Sequence, residues 1–224
     1  MATETYRRVY VWEFPVLLYH WVNFFAVAAL ALTGFAIGNP FALSSSAEAY
    51  QGHWFGVVRT VHFAAGFVFF FNFLGRIYWG LVGNRYSRLR GYFPATRAQW
   101  EEIVRVLKVD IFQSGAPGRI SLGHNALAAV LYLGLFAATL FQAATGFALY
   151  AGMGRSAVAR LFAWVVPLLG GDMAVRQWHH AAMWFFVLFA IVHVYLVLYH
   201  DYVEGRGTAS SMAGGWKFER EDGK

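Results

Sequence analysis

Charged residues divide the chain into four long runs that are uncharged or nearly so. The runs cover 14–47, 60–84, 120–154 and 177–200, and within them only Arg76 is charged. An ionised side chain at the centre of a bilayer costs several kcal/mol, whereas about 20 apolar residues in a helix suffice to cross it. The pattern therefore predicts four transmembrane helices, at about 15–37, 60–83, 125–150 and 177–200.

The composition agrees with a membrane protein. Of 224 residues, 58% are hydrophobic and 13% charged, and a soluble domain averages about 25% charged residues. We expect an all-α integral membrane four-helix bundle that forms one domain over residues 1–224. The chain has no cysteine, which excludes disulfides, thiolate-bound iron–sulfur clusters and thioether-attached haem. Any redox centre must therefore use His or Met ligands.

The distribution of basic residues predicts the topology. The net charge of +6 is compatible with nucleic-acid binding, but basic residues in a membrane protein mark its cytoplasmic loops. Of the 18 Lys and Arg, four lie in the loops between the first two and the last two predicted helices, at Arg59, Arg155, Arg160 and Arg176. The remaining 14 lie in the two terminal segments and in the segment from Arg76, near the inner end of the second predicted helix, to Arg119. We therefore expect both termini and the middle loop on the cytoplasmic side, and no nucleic-acid partner.

The middle loop contains an amphipathic pattern. Apolar residues recur at helical spacing, and charged residues such as Glu101 and Arg105 occupy the positions between them; the apolar positions are Trp100, Ile103, Val104, Leu107 and Ile111. Two interpretations remain open: a helix that lies in the membrane interface, or a surface helix over the bundle.

One four-residue run, Thr-Gly-Phe-Ala, occurs twice, at 33–36 and 145–148. Each copy lies near the outer end of a helix that runs outward from the cytoplasmic side. The repeat indicates an ancient duplication of a helix pair, although it rests on only four residues.

Histidines occur in or at the ends of all four predicted helices. A single intramembrane histidine is more commonly a packing residue than a ligand, so only their mutual spacing points to a cofactor. His179 and His193 are 14 residues apart, which at about 100° per residue places them on one face of the helix with a rise of roughly 21 Å between them. His180 lies about 140° around the helix from His193, which favours an outward-facing interfacial position.

These spacings predict two ligand layers. A haem held by two histidines needs its second ligand at the same depth on another helix. His62 begins the second helix level with His179, and His20 lies near the inner start of the first helix, level with His193. We call His62 and His179 the outer pair, and His20 and His193 the inner pair, and we expect each pair to ligate a haem iron. Zinc is disfavoured because it needs three or four ligands at one depth.

Other residues near these layers have two interpretations each. Gly34 lies at the outer level, where a missing side chain would let a porphyrin approach or let helices pack closely. Arg59 and Arg176 near the outer pair, and Arg76 near the inner pair, are candidates to pair with haem propionates or with lipid headgroups.

A quinone site is a further expectation at the inner level. His124 and Asn125 begin the third helix there, and His200 and Asp201 end the fourth. A quinone needs hydrogen-bond partners and a proton route from water, which these residues would provide. The alternative is that they mark the water boundary.

The sequence also resembles a known family. Tyr19-His20-Trp21-Val22, closing with Leu32-Thr33-Gly34, is similar to the first signature of the b-type cytochrome subunit of membrane-bound nickel–iron uptake hydrogenases. The segment 176–193 resembles the second signature, in particular at His179, His180, Trp184, Phe189 and His193. Gln177 and Ala181 depart from that signature without touching a proposed ligand.

This resemblance covers essentially the whole chain and implies a function. It implies four transmembrane helices, two haems b, a multi-pass location in the bacterial inner membrane, and a periplasm-facing hydrogenase of small iron–sulfur and large subunits as partner. Electrons from hydrogen oxidation would reach the outer haem, then the inner haem, and then a quinone. The cytochrome b subunit of formate dehydrogenase is related, and its quinone site near the start of the third helix favours His124 and Asn125.

Three alternatives remain at this point. The partner could be another periplasmic dehydrogenase, such as formate dehydrogenase. Intramembrane histidines could instead form the proton relay of a transporter, which would bind no haem. A pure membrane anchor for a partner enzyme would tolerate loss of all four histidines. On the main interpretation the chain is an electron-transfer and quinone-reducing subunit and does not split hydrogen itself.

Overall fold

The computed structural model describes residues 5–40, 53–92, 96–106, 108, 126–154, 156–205 and 207–220. These residues are mostly helical. Four helices among them are long and apolar enough to cross a membrane, as the sequence predicts: α1 (Phe14–Gly38), α2 (Trp54–Val82), α4 (Ala126–Ala151) and α7 (Asp172–Glu204). Large apolar side chains such as Leu32, 75% exposed, face outward from them. A lipid environment would cover these faces.

Two of these helices begin earlier than the charge pattern predicts. Helix α2 starts at Trp54 instead of residue 60, and α7 starts at Asp172 instead of residue 177. The backbone continues as a helix past the charged residues that bound the apolar runs. In α7, Arg176 Nε donates to Asp172 Oδ2 at 2.7 Å across one turn. The negative charge of Asp172 in the first turn also interacts favourably with the helix dipole.

The chain divides into two units, which are described separately. The first consists of Met1–His20, Gly75–Ala137 and His193–Lys224, and the second of Trp21–Leu74 and Ala138–Val192. The first therefore contains the inner pair of histidines, and the second contains the outer pair.

The first unit contains a small sheet that the all-α expectation did not include. Strand β1 (Tyr6–Tyr10) pairs antiparallel with β2 (Trp216–Arg220), with Tyr6 opposite Arg220 and Tyr10 opposite Trp216. Short helix α8 (Thr208–Gly214) precedes β2. Beyond the sheet, the backbone amides of Val11 and Trp12 both donate to the carbonyl oxygen of Gly215. The two ends of the described chain are thus held together.

Glu13, just before α1, connects this helix to the end of α2 and the segment that follows. Its Oε2 accepts hydrogen bonds from Trp79 Nε1 at 3.0 Å and from the backbone nitrogen of Asn84 at 2.8 Å. Val11, Trp12 and Val16 form a buried core beside this carboxylate. The carboxylate therefore ties the N-terminal segment to the end of α2.

Helix α3 (Arg97–Val106) confirms that the amphipathic segment is helical as far as Val106. Ile103 is buried, whereas Trp100 and Val104 are exposed. Leu107 and Ile111, the other two positions of the predicted apolar face, lie outside the described residues. A 3-10 helix, Leu89–Tyr92, lies between α2 and α3.

The second unit has an aromatic core. Ala143, Phe147 and Ala159 are buried, and Phe67, Phe70 and Phe162 pack against them. Ala159 belongs to α5 (Ala157–Arg160), and α6 (Val165–Leu168) follows it in the loop before α7. Gly170 and Gly171 have φ of 92° and 104°, so the turn into α7 uses backbone conformations that favour glycine.

Candidate functional site

The two histidines of the outer pair face each other within the second unit. His62 projects from α2 and His179 from α7, and their ring centroids lie 6.4 Å apart at an interplanar angle of 74°. Both side chains are half-buried. The structure therefore brings together the two residues that the spacing predicts as one ligand pair.

The inner pair has the same separation within the first unit. His20 on α1 and His193 on α7 have ring centroids 6.4 Å apart at an interplanar angle of 54°. His20 is half-buried and His193 is exposed. This pair too is the one predicted from the sequence.

The separation of the two rings in each pair suits a metal ion between them. Metal–nitrogen bonds are about 2.0–2.1 Å and each ring centre lies roughly 1.2 Å beyond its nitrogen, so the centres would lie about 6–6.5 Å apart. Among the described residues there is no group of three or more His, Cys, Asp or Glu able to hold a metal. Each pair therefore provides two protein ligands, which is the number that a porphyrin-bound iron needs.

A cavity of about 990 Å³ lies beside the outer pair. His62, His179, Gly34 and Gly146 line it, and aromatic side chains such as Phe67 provide much of the remaining wall. Pockets of this size, mainly apolar with a few convergent polar groups, are typical of cofactor sites. The cavity therefore fits a large flat group held between the two rings.

Both glycines lie against a histidine ring. A Cβ atom on Gly34 would lie 3.3 Å from Cε1 of His62, and one on Gly146 would lie 3.1 Å from Cε1 of His179. These separations are tighter than ordinary van der Waals contact, so a side chain at either position would push the ring. The glycines therefore make room for the two histidine rings, a role that the sequence analysis did not assign to Gly34.

A threonine next to each glycine contacts the same histidine. Thr33 Oγ1 lies 2.9 Å from Nδ1 of His62, and Thr145 Oγ1 lies 2.9 Å from Nδ1 of His179. The sequence prediction did not include either threonine in the site. The repeated Thr-Gly-Phe-Ala run was the signal that could have identified both.

Gln142 adds a contact to one member of the outer pair only. Its Nε2 lies 3.1 Å from the carbonyl oxygen of His179 and 3.4 Å from Nε2 of the same residue. Its Oε1 is buried and has no hydrogen-bond partner among the described residues. A buried acceptor without a donor is costly. The cavity beside this amide therefore suits a group that can donate a hydrogen bond to Oε1.

His180 does not take the outward-facing position that its helical angle favours. It is half-buried and lines the same cavity as His179. A Cβ atom on Gly38 would lie 2.7 Å from its Cε1, so the ring packs against the backbone of α1. The expectation of an outward-facing side chain is wrong, because Gly38 at the end of α1 leaves room for the imidazole on the side of the cavity.

Arg76 is the largest fully buried side chain in the described part of the first unit, with 1% of its surface exposed. Its Nη2 donates to the carbonyl oxygen of Ser87 at 3.1 Å and to the hydroxyl of Tyr92, and its Nε donates to the hydroxyl of Tyr132 at 3.4 Å. Burial raises the pKa of Tyr92 above its usual range, and the neighbouring Tyr132 raises it further. The phenol of Tyr92 is therefore neutral and does not offset the charge of the guanidinium.

The third nitrogen of this guanidinium, Nη1, is buried and has no hydrogen-bond partner among the described residues. A buried cation is costly unless it is paired. The arrangement therefore suits an anionic group beside Arg76, as expected if a propionate pairs with it.

The other two arginines have protein contacts. Arg59 Nη2 lies 3.0 Å from Sδ of Met153, and Arg176 forms the exposed ion pair with Asp172. Both also line the outer cavity.

Sequence intervals relate Arg76 to the histidine pairs. The interval from His62 to Arg76 equals the interval from His179 to His193. Likewise, the interval from Tyr132 to Thr145 equals the interval from His20 to Thr33. At these intervals the Arg76–Tyr132 contact corresponds in position to the His20–His193 contact.

The chain is similar to known proteins along almost its whole length. Residues 11–215 match the family described as "Prokaryotic cytochrome b561". The chain belongs to this cytochrome family. Membership in a b-type cytochrome family implies haem b, and the geometry of the two histidine pairs fits it.

Individual relatives of the cytochrome agree. The chain is 40% identical over 218 residues to a protein of Azotobacter vinelandii, covering 96% of this chain and 90% of the relative. It is 42% identical over 219 residues to a protein of Cupriavidus necator, covering 96% and 88%. Both relatives are named "Probable Ni/Fe-hydrogenase B-type cytochrome subunit". A protein of Escherichia coli K12 is 36% identical over 213 residues, covering 93% of this chain and 90% of the relative, and is named "Probable Ni/Fe-hydrogenase 1 B-type cytochrome subunit".

The predicted quinone residues of this cytochrome are only partly described. His124 and Asn125 lie outside the described residues. His200 is half-buried near the end of α7. Asp201 Oδ1 accepts a hydrogen bond from the backbone nitrogen of Ala209 at 3.2 Å, so this carboxylate holds the start of α8, which is a structural role.

Proposed function

We propose that this chain is the membrane cytochrome of a hydrogenase, and that it conducts electrons from a periplasm-facing nickel–iron hydrogenase to the quinone pool. The observation that carries the proposal is the pair of facing histidines in each unit, with ring centroids 6.4 Å apart in both. The names of the relatives supply the partner. They favour hydrogenase over formate dehydrogenase, since each is named for a hydrogenase.

The outer pair and the inner pair would each hold one haem b. His62 and His179 would hold the iron of one haem, and His20 and His193 would hold that of the other. When bound, each haem b supplies an iron that exchanges one electron reversibly. Because Gly34 and Gly146 have no side chains, the imidazole rings of the outer pair can pack against the backbones of the helices that carry these glycines.

Protein residues would also set the electrostatic surroundings of each pair. The outer cavity is mainly apolar, and an apolar wall excludes water and strengthens electrostatic interactions inside it. In the first unit, Arg76 would place a buried positive charge near the inner pair. A carboxylate of the bound cofactor would give the unpaired Nη1 its hydrogen-bond partner.

The orientation of the chain is part of the same proposal. With both termini and the middle loop on the cytoplasmic side of the bacterial inner membrane, the outer pair would lie nearer the hydrogenase small subunit. The inner pair would lie nearer the quinone, for which His124 and Asn125 are the proposed hydrogen-bonding residues. Membrane lipid would cover the exposed apolar faces of the four spans.

The test uses membranes that contain the complete complex of this chain with its hydrogenase. On addition of hydrogen, we expect b-type absorbance to appear and quinone to be reduced. In a His62→Ala variant the hydrogenase should still reduce a soluble dye with hydrogen, whereas quinone reduction should be lost.

Other outcomes of this experiment would overturn the proposal. Reduction of the cytochrome by formate and not by hydrogen would identify a formate dehydrogenase as the partner. Proton movement across the membrane with no b-type absorbance would identify a transporter. Quinone reduction that survives loss of all four histidines would identify a membrane anchor.

A further inference from the structure

Each histidine of the outer pair contacts a threonine and the glycine that follows it in one of the two Thr-Gly-Phe-Ala runs. In each copy of Thr-Gly-Phe-Ala, the threonine hydroxyl lies 2.9 Å from Nδ1 of one histidine. The following glycine leaves room for Cε1 of that same ring. Two ring atoms of each imidazole are therefore in contact with one Thr-Gly pair on another helix.

The direction of these hydrogen bonds follows from the number of protons. A threonine hydroxyl has one proton to donate and two lone pairs that accept. Thr33 Oγ1 lies 2.6 Å from the carbonyl oxygen of Ala29, and Thr145 Oγ1 lies 2.8 Å from that of Phe141. Carbonyl oxygens only accept, so each hydroxyl proton is already used within its own helix. The bond to the histidine must then run from Nδ1–H to Oγ1.

A further contact agrees with this direction for His179. Gln142 Nε2, which can only donate, lies 3.4 Å from Nε2 of that ring, so this nitrogen is the one that carries the lone pair.

The tautomer of both rings is therefore determined by their surroundings. With Nδ1 protonated in His62 and in His179, the lone pair is on Nε2. A neutral imidazole binds a metal through its unprotonated nitrogen. A hydrogen-bond acceptor on the opposite nitrogen orients the ring and makes the ligating nitrogen more basic.

We propose that Thr33 and Thr145 are positioning residues for the outer haem: each hydroxyl accepts from Nδ1–H of one axial histidine, orients its ring, and lowers the reduction potential of the iron. The proposal rests on the proposed function, because it requires that the outer pair ligates haem. A more basic axial nitrogen stabilises the ferric state over the ferrous state, which is why the potential falls.

The test is a redox titration of the purified full-length cytochrome, followed by absorbance and by electron paramagnetic resonance of the ferric haems. Thr33→Val and Thr145→Val remove the hydroxyl and preserve the shape of the side chain. We expect each to raise the reduction potential of the outer haem only. The expected rise is about 59 mV, which for one electron corresponds to a tenfold change in the ratio of reduced to oxidised haem. The g values of that haem should change with it.

Two sets of variants serve as controls. Thr33→Ser and Thr145→Ser keep a hydroxyl and should restore the potential of the unmodified protein. Thr60→Val removes a hydroxyl that bonds Gly56 within α2 at 2.9 Å, close to His62 in sequence, and should leave both potentials unchanged. Thr33→Ala and Thr145→Ala add no bulk, and the same positive shift is expected in them if a valine variant does not fold.

The two proposals fail in different ways. If the unmodified protein shows no haem ligated by two histidines, the proposed function fails. If it does, and the Val and Ala variants leave the outer potential and g values unchanged, or Thr60→Val shifts them equally, the role of Thr33 and Thr145 is overturned.

Discussion

A Cβ atom on Gly146 would lie 3.1 Å from Cε1 of His179. The imidazole is therefore seated against the backbone of α4, with Thr145 on its Nδ1 side. His62 is seated in the same way against Gly34 and Thr33 on α1. The outer pair is thus positioned by two helices that do not themselves carry its members.

Gly146→Ala should weaken the outer site. The added methyl group would force the ring of His179 to shift by a few tenths of an ångström, and overpacking of this kind costs about 1–3 kcal/mol. We expect partial loss of the outer haem and a lower thermal unfolding temperature, measured by haem content and by calorimetry in detergent. Gly134→Ala on the same helix is the matched control, because a Cβ atom there meets nothing within 4 Å. Equal effects of the two substitutions would contradict the contact.

His180→Ala should leave both haems bound, whereas His179→Ala should remove the outer one. His179 faces His62 at 6.4 Å between ring centroids, and His180 packs against Gly38. Haem counted per chain after purification distinguishes the neighbours. Loss of the outer haem from the His180 variant alone would mean that His180 is the ligand.

Arg76→Met should lower the potential of the inner haem and leave that of the outer haem unchanged. A positive charge favours the reduced state, which carries one more electron, so its removal favours the oxidised state. The substitution also removes the hydrogen bond that Arg76 donates to the carbonyl oxygen of Ser87, and a buried acceptor that loses its donor costs about 1–3 kcal/mol. The measurements are a redox titration and a thermal unfolding curve.

Arg85→Met is the control for that prediction. Arg85 is also in the first unit, stacks over the ring of Tyr86 at 4.6 Å, and lies on an exposed part of the chain. Its removal should change neither the potential nor the unfolding temperature by much. Arg76→Met variants with the unmodified inner potential would show that the guanidinium has only a structural role.

Gly215→Ala should destabilise the terminal sheet more than Gly205→Ala does. Both glycines have positive φ, 80° and 60°, so an alanine at either costs about 1–2 kcal/mol for its backbone conformation. At Gly215 the new Cβ would also meet the backbone oxygen of Trp12 and the ring of Tyr10, whereas at Gly205 it meets nothing within 4 Å. The thermal unfolding temperatures of the two variants are compared. We expect a lower value for Gly215→Ala, and equal values would contradict the predicted clash at Gly215.

The four spans were predictable because charged side chains are costly inside a bilayer, so a membrane-crossing helix has almost none. Runs without charges located α1, α2, α4 and α7 in the right order. Their ends were less predictable, since the helical backbone of α2 and α7 continues into polar surroundings where charged side chains such as Arg59 and Arg176 cost little.

The histidine pairing was predictable for a geometric reason. On a single helix, residues separated by about four full turns return close to the same face, so His179 and His193 had to share a face whatever the other helices did. The position of His180 depended instead on Gly38 of another helix, which no local pattern reveals. The roles of Thr33 and Thr145 likewise depend on histidines far away in sequence, on other helices.

The terminal sheet lay beyond local reasoning as well. Strand β1 pairs with β2 across almost the whole length of the chain, with Tyr10 opposite Trp216. Short segments such as these carry too little pattern to predict a partner so distant in sequence. The repeated Thr-Gly-Phe-Ala run, by contrast, was visible in the sequence, and only the contacts to His62 and His179 showed its meaning.

The central claim is that one haem b is held by each histidine pair. The most direct test is the dithionite-reduced minus oxidised spectrum of the purified full-length chain, with haem counted per polypeptide, for the unmodified protein and for His62→Ala and His193→Ala. We predict two haems b in the unmodified protein and one in each variant, with the two variants retaining spectroscopically different haems. The absence of a b-type band, a single haem per chain, or loss of the same haem in both variants would contradict it.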